Sequence, residues 1–312
     1  MTKVHLDTDL GGDIDDLCAL AMLLRWPDVS ITGITVVGDT AGVRTGYTRY
    51  ALALEGRTEI PVAAGADTSG GFYRYELPPQ DNRYWPADAI PSPNPPEQAI
   101  ELLRNSIEEG ATIIGIGSLT NLSMLERQHP GILQRARLFL MGGFIYPPRA
   151  GYPVWKNEFD FNVQVDVKSA QHVLRNSNPT LIPISVTAET ALRRSSLPRL
   201  RAAGKLGELI AYQAEVFAAD EKMDEKYGAT CANVPADIVN FQHDPLACAI
   251  ALGWDQGVEI KEVPIVVEVR SGWLWERVDD AGRKMSVVTR VDGASFGEFW
   301  VERVAGRVGA KS

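Results

Sequence analysis

The stretch "LDTDLGGDIDDLCAL", residues 6–20, sets five carboxylates, Asp7, Asp9, Asp13, Asp15 and Asp16, beside Gly11 and Gly12. A short apolar run, "VHLDT" (4–8), leads into it, and an apolar pattern of helical period near 15–25 leads out. A strand closing in acids, a tight turn that glycine permits and a helix opening in acids form the first half of a β–α unit. The turn brings the two acidic ends together. Asp favours helix N-termini, where it complements the dipole and accepts backbone N–H groups, but capping explains one or two of these acids, not all. Carboxylates that converge on one point repel, and the usual remedies are a shared proton or a bound divalent cation.

The same alternation continues outward. Strand candidates follow at "ITGITVV" (31–37), "PVAAG" (61–65), "ATIIGIG" (111–117), "RLFLMGG" (137–143) and "TLIPISV" (180–186). Helical patterns lie near 42–55, 96–109, 120–128 and 166–176. Strands alternating with helices imply an α/β fold: an open, mostly parallel, Rossmann-like sheet with helices on both faces. Ligands of such sheets bind beyond the carboxyl ends of the strands, which selects Asp7, Asp9, Asp39, Thr120 and the segment after Met141. The final block, 258–303, holds "VEIKEVPIVVEV", "MSVVTRV" and "GEFWVERV", read as extra strands on the sheet edge. Two stretches break the pattern. Residues 66–96, rich in Pro, Gly and aromatics, read as a long surface loop of the kind that serves as a lid, and the charged segment 220–235 reads similarly. With no internal repeat and no boundary signal, residues 1–312 are expected to form a single domain.

Composition narrows the function. A chain of 312 residues, 45% hydrophobic, can bury a sizeable core without staples. Cys18, Cys231 and Cys248 are odd in number and widely spaced, which suggests neither a disulfide framework nor a zinc site. A net charge of −9 without clustered Lys and Arg argues against nucleic-acid partners and for a small polar substrate. No apolar run is long enough to cross a bilayer, and the first residues lack the regions of a signal peptide, so a cytoplasmic protein is expected.

Other readings of the acidic motif fail on spacing. An EF-hand loop starting at Asp7 would need a liganding side chain fifth and an acid twelfth, yet Gly11 is fifth and Cys18 twelfth. A magnesium-dependent phosphatase of the haloacid-dehalogenase type also begins Asp-x-Asp, but its Asp-x-Asp-x-Thr continuation is broken by Gly11. "GIGSLT" (115–120) lacks the third glycine of a dinucleotide fingerprint.

Four segments in order carry a closer likeness: "DTDLGGDIDDLCAL" (7–20), "GSLTNL" (117–122), "FLMGGF" (139–144) and "HDPLACA" (243–249). Together they resemble the nucleoside hydrolase family, from residue 4 to about 250, with an edge-strand continuation to about 303. The resemblance implies calcium held by Asp9, Asp16, the Thr120 carbonyl and Asp244, an all-oxygen set suited to a hard, flexible cation. It implies Asp15 on the ribose hydroxyls, Asp9 as the general base, Met141 and Asn162 on the sugar-pocket wall and His243 facing the leaving base. A nucleoside substrate and a homo-oligomer are implied as well. The chemistry suits the residues: cleaving an N-glycosidic bond leaves a ribosyl cation, which nearby carboxylates stabilise. A non-catalytic nucleoside-binding or sensor protein on the same fold is the rival reading, and the intact Asp9, Asp15, Asp16 and Asp244 count against it.

Departures from the family pattern mark where this chain is its own. In "NEFDFNVQVD" (157–166), Asp160 stands where Glu is usual, one methylene shorter, and Asn157 and Asp160 are expected to share the 5′-hydroxyl. In "VVGDT", Asp39 occupies a position commonly Asn, and is expected either to bind a ribose hydroxyl or to titrate upward. The loop 66–96 offers Phe72, Tyr73, Tyr75, Tyr84 and Trp85 either to stack on a base or to anchor the loop. Of the four histidines, His5 is expected to pack under the sheet and His129 and His172 to lie on helix surfaces, leaving His243 beside Asp244 for chemistry.

Overall fold

The structure, a computed structural model, describes residues 1–67 and 83–306. Phe72, Tyr73 and Tyr75 therefore lie outside the described residues. The strands of the first half are β1 (Thr2–Thr8), β2 (Val29–Val36), β3 (Val62–Ala64), β4 (Thr112–Gly115), β5 (Arg137–Met141) and β6 (Thr180–Ile182). Those of the second are β7 (Ala191–Arg193), β8 (Ile238–Phe241), β9 (Glu259–Arg270), β10 (Trp273–Val278) and β11 (Arg283–Arg290). The first six helices are α1 (Asp15–Leu24), α2 (Val43–Leu54), α3 (Glu97–Glu108), α4 (Thr120–Gln128), α5 (Ile132–Arg135) and α6 (Phe161–Gln164). There follow α7 (Val167–Asn176), α8 (Ile184–Thr187), α9 (Leu197–Arg201), α10 (Lys205–Asp220), α11 (His243–Ala251) and α12 (Gly293–Ala305).

Among the described residues nine strands form one sheet in the order β10-β9-β11-β6-β5-β4-β1-β2-β3. β1 pairs in parallel with both β2 and β4, so the chain winds outward from β1 in one direction through β2 and β3 and in the other through β4 to β6. The reversal between β1 and β4 is a topological switch point, and the crevice beyond their carboxyl ends is where this class of sheet takes a ligand. At the far edge β11 joins β6 in parallel, while β9 is antiparallel to both β11 and β10. β7 and β8 form a separate antiparallel pair.

Alternation along the central strands sends side chains to two cores. Ile114, Phe139, Met141 and Ile182 join the core under α1, α10, α11 and α12, whereas Ile113, Leu138, Leu140 and Leu181 join the one under α3, α4 and α7. α1 is buried over nearly its whole length, so its acidic first turn is fixed deep in the molecule rather than on a surface. Gly11 makes the preceding turn possible: its φ is +117°, and a Cβ there would stand 2.7 Å from the Tyr47 ring. His5 is fully buried in β1, between Ser106 Oγ at 2.8 Å and Thr35 Oγ1 at 3.0 Å, and burial pushes its pKa down to about 3.

Two sequence expectations are corrected. "GEFWVERV" is not a strand but part of α12, where Phe296, Trp300, Val301 and Val304 are buried at helical spacing and Asp292 caps the helix by accepting from Ser295 N at 3.0 Å. "TLIPISV" stays extended only to Ile182; Pro183 offers no N–H to a ladder, and the chain turns into α8. The edge strand β10, which sequence reasoning passed over, pairs with β9 through a turn at Ser271 (φ 49°) and Gly272 (φ 80°), the left-handed pair a two-residue hairpin needs. Among the described residues no helix is long and apolar enough to cross a membrane.

Candidate active site

The carboxyl ends of β1, β4 and β5 open onto a cavity of about 570 Å³, within the range of small-molecule sites. Asp9, Asp13, Asp15, Asp16, Met141, Asp160, Asn162, His243 and Asp244 all line it. Asp9 follows β1, Asp15 and Asp16 open α1, and Asp244 lies in the first turn of α11, which packs against α1. Elements 230 residues apart in sequence thus deliver carboxylates to one wall.

Burial and mutual repulsion dominate that wall. Burial raises Asp9 to about 6, helped by Asp13 and opposed by the Arg44 guanidinium. Asp15, Asp16 and Asp244 are held well above the usual carboxylate range, by burial first and by one another and Asp13 next. Thr8 Oγ1 donates to Asp16. One carboxylate oxygen from each of Asp13, Asp15 and Asp16 falls within 4.8 Å of the others. Protons or a cation must occupy such a set, and a donor set made only of oxygens fits a hard divalent ion. Asp7 lies beneath rather than on the cavity: Thr35 Oγ1 donates to its Oδ1 at 2.6 Å and Asn121 Nδ2 at 2.8 Å, and burial raises it to about 7.

The opposite wall is held by backbone. Asn162 Nδ2 donates to the carbonyls of Ile116 (2.8 Å) and Met141 (3.2 Å), tying the ends of β4 and β5 together. Asp160 accepts from Gly143 N at 2.5 Å and from Val163 N at 3.4 Å, so it caps α6 while facing the cavity. Burial raises it to about 7, against those two amides.

His243 starts α11, half-buried, with Nδ1 2.6 Å from Thr187 Oγ1. Its ring lies among Trp155, at 5.8 Å, and Phe241, at 5.6 Å, and Tyr227 packs edge-on to both of those rings. Burial pushes the imidazole down to about 4. Near Phe217 the cavity is lined by Asp220, the last residue of α10, and Glu221, which follows it. Tyr84 and Arg83 of the long loop also line the cavity, and Tyr84 Oη donates to Asp220 Oδ2 at 3.0 Å. Trp85 instead stacks on Tyr47, ring centroids 4.3 Å apart, and is buried, so of the loop's described aromatics one anchors and one faces the site.

Three residues expected at the site are placed off its wall. Asp39 spends its carboxylate on the start of α2, accepting from Arg44 N at 2.8 Å, Thr45 N at 3.0 Å and the Thr45 hydroxyl. Asn157 is buried behind the wall, its Nδ2 donating to the Leu274 carbonyl at 3.2 Å and its Oδ1 without a partner among the described residues. Thr120 begins α4, its hydroxyl donating to Asp166 at 2.8 Å. Sequence reasoning counted Asp13 but gave it no role, and it missed Arg44, Phe159, Phe161 and Phe217 on the wall. Phe159 and Phe161 flank Asp160 in the quoted motif and could have been found; Arg44 and Phe217 carry no local signal.

Comparison with known proteins agrees with this geometry. A family model described as "Inosine-uridine preferring nucleoside hydrolase" matches residues 4–298. The pyrimidine-specific ribonucleoside hydrolase RihA of Escherichia coli K12 is 30% identical over 265 residues, covering 80% of this chain and 78% of that protein. Its counterpart in Salmonella arizonae is 29% identical over the same length. Among solved structures, the plant nucleoside hydrolase PpNRh1 shares the fold with a TM-score of 0.75 at 20% identity, covering 98% of this chain and 99% of that one. The purine-preferring ribonucleoside hydrolase from Gardnerella vaginalis gives 0.75 at 21% identity, covering 98% of each chain. The chain thus belongs to the inosine-uridine preferring nucleoside hydrolase family and is an N-ribohydrolase.

Proposed function

We propose that the chain is a calcium-dependent nucleoside hydrolase whose two cavity walls divide the work. The observation that carries this reading is the convergence of half-buried Asp9 with buried Asp15, Asp16 and Asp244 on one wall, opposite an amide-held Asp160. Asp9, Asp16 and Asp244 carry the side-chain oxygens proposed for the ion, with Asp13 close enough to add to their field. A bound calcium ion would acidify a coordinated water and fix the vicinal ribose hydroxyls.

The protein's own groups supply the rest. Asp9 accepts the proton of the attacking water, the role a carboxylate beside that water can fill. Asp15 receives a ribose hydroxyl, and the carboxylate wall stabilises positive charge as the glycosidic bond lengthens. Met141 and Asn162 shape the sugar side, and Asp160 takes the 5′-hydroxyl. Asp39 and Asn157 act at one remove, setting the start of α2 and the segment before Asp160.

His243 serves the leaving base as a neutral imidazole. Its 2.6 Å contact is the shorter of the two that Thr187 Oγ1 makes, the other being 3.2 Å to the Ile184 carbonyl. In the tautomer in which the Thr187 hydroxyl donates to Nδ1, Nε2 carries the ring hydrogen and can offer it to a departing base.

The test is direct. Purified protein incubated with uridine, cytidine, inosine, adenosine or guanosine should release free base and ribose from at least one of them. Chelator should stop the release and calcium should restore it. Turnover that ignores chelator would remove the metal from this account, and no turnover of any nucleoside would remove the account itself.

A further inference from the structure

The hairpin formed by β9 and β10 brings to the site a residue that no motif marks. Leu274 and Glu276 of β10 both point inward and are buried, whereas Trp275 between them is exposed. Gln164 clamps the strand in place: Leu274 N donates to Gln164 Oε1 at 3.0 Å, and Gln164 Nε2 donates to Leu274 O at 2.9 Å. Two residues on, Glu276 reaches the end of β5. There Phe144 N donates to Glu276 Oε2 at 3.4 Å, while the adjacent amide, Gly143 N, donates to Asp160.

The two glycines of "MGGF" lie beside this pair in backbone conformations that favour glycine. Gly142 has a φ of +145°, and a Cβ there would sit 3.4 Å from Asp160 Oδ1; Gly143 has a φ of +102°, and its Cβ would sit 3.8 Å from Glu276 Oε1. Consecutive glycines and consecutive amides are thus shared between two carboxyls, one on the cavity wall and one behind it. Glu276 Oε1 is buried without a hydrogen-bond partner among the described residues, an oxygen whose desolvation is unrelieved unless Asp160 or a ligand-borne proton meets it. Burial and the neighbouring Asp160 raise Glu276 to about 8.

We propose that Glu276 is a positioning residue for Asp160, and through it a specificity determinant for the 5′ end of the riboside. The inference rests on the proposed reading in which Asp160 meets the 5′-hydroxyl. Asp160 is one methylene shorter than a Glu would be, and a second carboxyl packed behind it stops it from turning away from the cavity.

The experiment compares kcat/KM for the best nucleoside and for its 5′-deoxy counterpart in calcium-loaded protein. Wild type should prefer the 5′-hydroxyl substrate. Glu276→Met, which keeps the volume but removes the bond from Phe144 N and the carboxyl behind Asp160, should lower that preference about tenfold, chiefly through KM, as expected for one buried hydrogen bond. Glu276→Asp, which keeps a carboxyl but withdraws it, should lower it about threefold. Glu276→Gln, which can still accept from Phe144 and donate to Asp160, should restore the wild-type preference. An unchanged preference in Glu276→Met overturns the inference, as does a Gln variant that behaves like Met. If Glu276→Met does not fold, an unchanged preference in Glu276→Asp overturns it instead. Wild-type protein that hydrolyses nucleosides without any 5′ preference overturns this inference alone, whereas wild type that hydrolyses no nucleoside overturns the proposed function and this inference with it.

Discussion

The cavity has two acidic walls, and they solve the same electrostatic problem differently. On the β1 and α1 side, Asp9, Asp15, Asp16 and Asp244 are raised first by burial and next by nearby carboxylates, Asp13 among them, with the Arg44 guanidinium offsetting part of the charge at Asp9 and Asp16. On the β5 side, Asp160 and Glu276 each take a backbone amide, from Gly143 and Phe144. Backbone donors offset only part of the burial at Asp160 and Glu276, which stay near 7 and 8, whereas several carboxylates facing one another call for a cation. On the proposed reading the first wall holds the metal and the second reads a substrate hydroxyl. Asp39 extends the lesson: it follows β2 at the same end of the sheet, yet its three donors at the start of α2 make it a cap rather than part of the acid wall.

The sharpest way to break this contrast is to remove one acid from the first wall. Asp9→Asn takes away a proposed metal oxygen and the proposed base together, and nucleoside turnover should fall by at least ~10²–10⁴-fold. Turnover within a few-fold of wild type would show that Asp9 does neither job.

His243 belongs to neither wall, and its effect should depend on the leaving group. His243→Ala should slow nucleoside hydrolysis by up to ~10²–10⁴-fold while sparing a nitrophenyl riboside, whose phenolate leaves unaided. Because burial holds the imidazole near 4, the nucleoside rate should show no inflection near pH 6.5 from this residue. Parallel losses on both substrates would assign His243 to the metal wall or to the fold.

The walls should also differ in what stabilises them. Calcium at about a hundred times its Kd should stabilise wild type against urea by ~2.7 kcal/mol, and Asp9→Asn by much less. On the second wall the sign runs with pH. Glu276 sits near 8 in the folded chain, above its ordinary value, so its contribution is present below about pH 4.5 and is lost as pH rises through 8. Calcium-saturated wild type should therefore lose ~2–4 kcal/mol more between pH 5 and pH 8.5 than Glu276→Gln does. Equal pH dependence in the two would place Glu276 in contact with solvent. The smallest effect is expected from Asp160→Glu, which restores the commoner family residue but pushes it toward Glu276: a few-fold change in KM for 5′-hydroxyl substrates, with little change for 5′-deoxy analogues.

How far these walls were legible in the sequence follows from how local their signals are. The acid wall was legible because a strand end, a glycine turn and a helix start lie within ten residues, and "HDPLACA" announces a second helix start with its acid in place. The parallel half of the sheet was legible for the same reason: β-branched runs alternate with helical patterns. The amide-held wall was half legible. Asp160 stood out as a departure, but Glu276 depends on a hairpin docking through Gln164 and Leu274, 110 residues apart, and nothing in "WLWERV" signals that contact. Asn157 was misjudged because its partner, the Leu274 carbonyl, comes from the same unannounced strand. In "GEFWVERV" a run of Phe, Trp and Val suggested a strand, while the burial of Phe296, Trp300 and Val304 follows the helical period.

The claim that the first wall exists to hold a cation is tested most directly by titrating calcium into chelator-stripped protein in a calorimeter, with wild type and Asp9→Asn side by side. The account predicts one ion per chain in wild type and affinity at least about tenfold weaker in the variant, the loss expected when a charge-bearing ligand is removed. Wild-type protein that takes up no calcium, or a variant that binds it as tightly as wild type, would contradict it.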